Sequence, residues 1–301
     1  MPELRNVELI TDGLAFPEGP VAMADGSVIV VELNGGRITR VLPDGTKRTV
    51  AEVDGGPNGA AIGPDGALYV CNNGGTNPAN AIGGRIQRVD IATGACTTLY
   101  TECDGVSIGA PNDLVFDSAG HFWFTDHAMH GAIFYAATDG SSIQRVVKGT
   151  AAANGIGLSP DGSVLYWAET HTRQVHRRHV TAPGELVRSP GHGIRPMFFR
   201  GSTDPWSLLI GLPGAHELDS LAVDSSGAVC VGTLVDSGIS EISPDGDWTL
   251  HTLPLSLADG AVTNICFGGP DLRTAFITCS MSGRLVRATW HRPGLALEFN
   301  A

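Results

Sequence analysis

The sequence predicts an all-β fold: a six-bladed β-propeller with four-stranded antiparallel blades around a central metal-containing channel, occupying residues 1–301 as one domain. Three observations predict it. Forty glycines and 18 prolines among 301 residues are spread along the chain, as many tight turns between short strands require. A segment of one plan occurs six times. A second set of hairpin turns falls between its copies.

The repeated plan is a polar residue, a short apolar run, a turn and a second apolar run. Its copies are EGPVAMADGSVIVVE, NGAAIGPDGALYVCN, NDLVFDSAGHFWFTD, NGIGLSPDGSVLYWAE, DSLAVDSSGAVCVGT and NICFGGPDLRTAFIT. Their turns carry Gly26, Gly66, Gly120, Gly162 and Gly227, with Leu272 at the equivalent place in the last copy. The copies lie about 40 to 65 residues apart, near the period of propeller blades. Between them fall turns at 43–45, 92–94, 138–140, 182–184 and 244–246, and RPG at 292–294 is expected to close the sixth unit. Two hairpins per copy give four strands, which is one blade. The runs between turns are rich in Val, Ile, Leu, Phe and Tyr, and none sustains a helical period.

Composition narrows the function. With 42% hydrophobic and 17% charged residues, the chain has ample material for a core. A net charge of −12 speaks against nucleic acid, which needs basic patches. No apolar run reaches membrane-spanning length, and MPELRNVELITDG does not read as a signal peptide, so a cytoplasmic protein without membrane contact is expected. Cys71, Cys230, Cys266 and Cys279 sit in apolar runs and read as buried hydrophobes. Cys96 and Cys103, seven apart, are close enough in sequence to pair, but without a secretory signal free thiols are expected, and no CxxC supports a thiolate metal site.

Strand direction then places chemistry. First strands of a propeller line the channel and run the same way, so equivalent residues at their starts form a ring. Counting back eight residues from each turn gives Glu18, Asn58, Asn112, Asn154, Asp219 and Asn264, every one an acid or an amide. Second strands return to the same face and end on Glu32, Asn72, Asp126, Glu169 and Thr233. Two carboxylates among amide carbonyls form a hard oxygen set that suits Ca²⁺ and fits Mg²⁺ less easily. Without a dication the two acids would repel each other.

The phrases FPEGPV at 16–21, PNDLVFD at 111–117, FWFTD at 122–126, ANGIGLSPDGSVLYWAET at 153–170 and CFGGPDLRTAFIT at 266–278 resemble the SMP-30/gluconolactonase family in order along nearly the whole chain. That family includes regucalcin, gluconolactonases and the drug-responsive bacterial lactonases. The resemblance implies a catalytic divalent metal, Ca²⁺ first, with Zn²⁺, Mg²⁺ or Mn²⁺ as alternatives. Glu18, Asn154 and Asp219 would hold it. Asn112 would be a further ligand, as in the related diisopropyl-fluorophosphatase-like propellers, or a substrate contact. Ser220 departs from the glycine that many relatives carry after the metal-binding aspartate.

The implied reaction is hydrolysis of a small lactone or ester by metal-activated water, with Asp219 orienting or deprotonating the water and Asp126 as the substitute base. His127, His130, His171 and His216, in loops over the same face, are candidate substrate contacts or proton shuttles beside Asn58 and Asn72. The glycine-rich stretch 72–84 reads as a loop over that face, and Met129 and Trp206 as pocket walls. No GxSxG elbow offers a serine nucleophile. Phosphotriester hydrolysis, non-lytic isomerase or lyase chemistry, and a non-catalytic metal-binding propeller are the other readings. Monomer and dimer are both open.

Overall fold

A computed structural model describes residues 1–76, 81–188 and 207–299; Trp206 and residues 77–80 of the glycine-rich loop lie outside these. Six antiparallel sheets stand in a ring, each starting on one of the six repeats. Their first strands are Pro17–Ala22, Pro57–Ile62, Pro111–Phe116, Ala153–Leu158, Leu218–Val223 and Val262–Gly268. Each packs against the next, and the sixth against the first, so the ring closes around a channel.

Closure differs from the expectation. The fourth strand of blade six does not follow the RPG turn at 292–294; it is the N-terminal strand Arg5–Thr11, paired with Arg284–Thr289. The last blade is thus built from both ends of the chain, which pins the seam of the ring with strand hydrogen bonds. Blade four carries an insertion: its third strand, Gln174–Ala182, pairs with Glu185–Leu186 and with Leu208–Gly211.

The second strand of each blade reads as a continuous apolar run because both of its faces are buried. In Val28–Glu32, Val28 and Val30 pack toward blade six while Ile29 and Val31 pack toward blade two. In Phe122–Asp126, Phe122 and Phe124 join Tyr69 and Tyr100 of blade two, and Trp123 joins Trp167 of blade four. Alternation along a strand therefore sends successive side chains into two different inter-blade cores. Cys71, Cys103, Cys230 and Cys279 are buried, Cys266 is half-buried and Cys96 exposed; all six are free thiols.

Backbones crowd where first strands meet at the axis. A Cβ added to Gly59 would stand 2.4 Å from the Asn112 carbonyl oxygen and 2.6 Å from the Asp113 Cα. Backbone on the neighbouring blade cannot move aside cheaply. Gly59→Ala is expected to lower the unfolding midpoint by more than about 5 °C, read by a thermal melt, as overpacking against a rigid wall does.

Candidate metal centre and active site

The ring is built one residue inside the first strand. Pro17 pairs with Glu32, Pro57 with Asn72, Pro111 with Asp126, Ala153 with Glu169, Leu218 with Thr233 and Val262 with Cys279. The next residues are Glu18, Asn58, Asn112, Asn154, Asp219 and Thr263. Each of the six ladders slips register near this point, a bulge of the kind that re-aims a side chain. The sixth member is Thr263 rather than Asn264. The first strand of blade six has seven residues where the other first strands have six, so counting back from its turn stops one residue short.

Glu18, Asn58, Asn112, Asn154 and Asp219 share the wall of one cavity of about 290 Å³. His127, His171, Asn73, Thr170 and Glu217 line it as well, with Phe16, Ala110 and Leu234 as its apolar wall. Phe16 holds its place with φ of 60°, a backbone conformation that a bulky residue adopts only under constraint. The five ring residues are buried. Three of their oxygens, Glu18 Oε2, Asn58 Oδ1 and Asn112 Oδ1, have no hydrogen-bond partner. A buried oxygen without a partner costs about 1–3 kcal/mol, and three converging on one cavity call for a cation. These unpartnered atoms are all hard oxygens, which is the donor set of Ca²⁺. The residues present therefore fit the divalent ion that the resemblance implies.

Electrostatics points the same way. Burial and the charge of Asp219 push Glu18 well above the usual carboxylate range, against hydrogen bonds from Thr263 and the Gly19 N–H. Burial likewise raises Asp219 to about 7, opposed by Asn154 and the Ser220 N–H. Desolvated acids facing each other are stable as anions only beside positive charge.

One acid escaped the sequence reading. The residues following the ring are Gly19, Gly59, Asp113, Gly155, Ser220 and Asn264, and Asp113 is the one acid among them. It is buried, and burial raises it to about 7 against hydrogen bonds from the Leu114 N–H and the Ser220 hydroxyl. Its signal was present in PNDLVFD, where an acid occupies a position that is glycine in three other blades. Ser220, the departure from the family pattern, ties this layer together: its Oγ lies 3.2 Å from Asn154 Oδ1.

The remaining expected contacts divide. Asn154 Nδ2 donates to Thr170 Oγ1 at 3.2 Å, and Thr170 Oγ1 lies 3.2 Å from His127 Nε2. A hydrogen-bond chain thus joins a ring amide to the imidazole. Burial, then the neighbouring His171, lowers the His127 pKa, so the ring is neutral near pH 7. His171 Nδ1 stands 3.8 Å from Glu217 Oε1. Asn72, Asp126, His130 and His216 are not on the cavity wall. Asn72 spends its amide on Gly56, Gly74, Asp54 and Gln87. Asp126 accepts from the backbone N–H groups of Gly109 and Ala110 in the loop before its blade and of Ala128 in the loop after its own strand. His216 faces Asp236 and Trp248, and His130 and Met129 are exposed. Asn72 and Asp126 thus hold loops, while five members of the first-strand ring line the cavity.

With this geometry in view, the chain belongs to the SMP-30/gluconolactonase/LRE-like family, whose sequence pattern matches residues 16–281. It is 31% identical over 226 residues to a lactonase drp35 of Staphylococcus saprophyticus, covering 69% of this chain and 62% of that protein. The chain therefore spans less than two thirds of the length of this curated relative. A gluconolactonase from Xanthomonas campestris superposes with a TM-score of 0.73 at 22% identity, over 94% of this chain and 89% of that one. Regucalcin from Agrobacterium tumefaciens, a calcium-binding protein, superposes with a TM-score of 0.72 at 15% identity, over 98% and 99%. Both superpositions show the shared propeller fold. No helix among the described residues is long and apolar enough to cross a membrane.

Proposed function

We propose that this protein is a divalent-metal-dependent hydrolase of small lactones, with Ca²⁺ as its metal. The observation that carries the reading is the convergence of three partnerless buried oxygens and the Asp219 carboxylate on one cavity. Glu18, Asn112, Asn154 and Asp219 would hold the ion, and Asn58 Oδ1 faces the same space. When bound, such an ion polarises a carbonyl and acidifies a coordinated water.

The chain's own groups do the rest. Asp219, on the cavity wall and accepting the Ser220 N–H at Oδ1, is placed to orient the attacking water and take up its proton. Neutral His127, linked through Thr170 to Asn154, can hydrogen-bond the oxygen that leaves when the lactone opens, and that oxygen takes up the proton that Asp219 accepted from the water. Phe16, Ala110 and Leu234 shield one side from water. A volume of about 290 Å³ lies at the small end for ligand cavities, which favours a compact ring over a long ester. The uncharged lactone enters without opposition, and its carboxylate product is repelled by Glu217 and by a net charge of −12.

The test is an acid-release assay on chelated protein with a panel of sugar, aliphatic and aromatic lactones and one phosphotriester, restoring each divalent ion singly. Lactone opening that returns with metal is expected. Turnover of the phosphotriester alone, or of nothing while metal stays bound, would overturn the proposal. A related expectation concerns Ser220. Replacing it with glycine removes the hydroxyl beside Asn154 and Asp113, so Ser220→Gly should weaken calcium binding about 10–100-fold in a titration with a competing chelator.

A further inference from the structure

A second cluster with metal-ligand chemistry lies away from the channel. Glu241 is on the third strand of blade five, Gly238–Ile242, and His251 on its outermost strand, Trp248–Thr252. His291 follows the third strand of blade six, Arg284–Thr289. One carboxylate oxygen and one nitrogen from each imidazole lie within 4.8 Å of one another. His251 Nε2 stands 2.7 Å from Glu241 Oε2, and His291 Nε2 stands 3.4 Å from the same oxygen.

We propose that Glu241, His251 and His291 form a binding site for Zn²⁺ or a chemically similar first-row transition ion, distinct from the oxygen-lined centre in the channel. Two imidazole nitrogens and one carboxylate oxygen are a recognised three-residue zinc set, with a fourth position left for water. Ligand atoms around a tetrahedral zinc stand about 3.3 Å apart, and the observed spacings of 2.7 and 3.4 Å bracket that value. Ca²⁺ takes oxygen ligands and is a poor match.

The surroundings prepare the site. Arg292 binds Glu241 through the other carboxylate oxygen and also reaches Asp224 Oδ2 at 2.8 Å, so Oε2 stays turned toward the imidazoles. With neutral imidazoles the group carries two carboxylates against one guanidinium, a net negative charge that a dication offsets. His251 and Glu241 are 13% and 14% exposed, and His291 is 38% exposed, which leaves one open side.

The position gives the ion a job. His291 lies on the segment that leaves blade six and returns to blade five, where Gly294 bridges Asp224 and the Leu295 N–H bonds the Val223 carbonyl. That segment continues along an apolar cavity of about 390 Å³, walled by Leu295, Leu297 and Phe299 as well as by first-strand residues. An ion shared by His251 and His291 would clamp this segment to blade five beside the seam where both chain ends meet. Binding to the folded state alone raises its stability.

The experiment is zinc uptake by the full chain in saturating Ca²⁺, counted by metal analysis after dialysis, with thermal melts alongside. Wild type and Asp219→Asn should each take up one zinc, because the site does not depend on the channel centre. His251→Ala and His291→Gln should take up none, and zinc should raise the wild-type midpoint by on the order of 3 °C without moving theirs. Should His251→Ala fail to fold, the half-exposed His291→Gln alone decides. Equal zinc uptake and equal melting response in wild type and His291→Gln would overturn the proposal. Loss of uptake in Asp219→Asn alone would assign the zinc to the channel and overturn it too.

Discussion

Asp219→Asn is expected to lose calcium binding and lactone hydrolysis together, by about 10³-fold or more in kcat/KM, while the chelated variant melts above chelated wild type at pH 8. The two halves have one cause. Asp219 is buried, and its anion is raised toward neutrality by desolvation and sits among other acids. On the proposed reading, that carboxylate would be a ligand of the ion and would orient the attacking water. Without one, it is an uncompensated charge, and replacing it with an amide of the same shape removes a destabilising anion. A residue needed only for folding would give the opposite melting result, and a spectator would leave turnover intact. Calcium titration, initial rates and melts in chelator therefore separate the functional role from the structural one. Full hydrolysis by the metal-free variant would sink the mechanism.

The same physics explains what could be read from the sequence. Ring membership at Glu18, Asn58, Asn112, Asn154 and Asp219 was legible because a turn of fixed length follows a first strand of fixed length in five blades. It failed in the sixth, where one extra residue moved the position from Asn264 to Thr263. A count along a repeat sees register only while strand length is constant. Asn72 and Asp126 looked like site residues because the second strand returns to the same face. Their side chains instead satisfy backbone N–H groups of their own loops, which no linear pattern distinguishes from a ligand role. The closing strand Arg5–Thr11 was missed for another reason: its partner lies at the far end of the chain, and pairing at that separation leaves no local mark. Asp113 was passed over because its meaning depends on depth. One step along the strand carries a residue from the ring to the layer under it, where glycine is otherwise common because strands nearly touch.

That depth sets a pH dependence opposite to the usual one for acids. Asp113 and Asp219 are both raised by burial to about 7, far above the value near 3.9 expected in an unfolded chain. Between those values the folded protein binds more protons than the unfolded one, so stability falls as pH rises. The contribution is complete below about pH 4 and is lost as pH passes through 7; for one such acid its ceiling is about 4 kcal/mol. Glu241 acts the other way. Burial would raise it, but His251 and Arg292 outweigh that and hold it at about 2, so its contribution is lost only as pH falls below about 4. Chelated protein should therefore be most stable near pH 4 and lose on the order of 10 °C in midpoint between pH 5 and pH 8. Saturating Ca²⁺ should remove most of that loss, because ion and proton compete for the same oxygens and the ion prevails as pH rises. Asp113→Asn, which keeps the shape and removes one of the titrating acids, should flatten the chelated profile. Melts at pH 5, 6, 7 and 8, with and without calcium, decide it: a chelated midpoint that holds or rises across this range would show that these acids are not held as buried proton carriers at the axis.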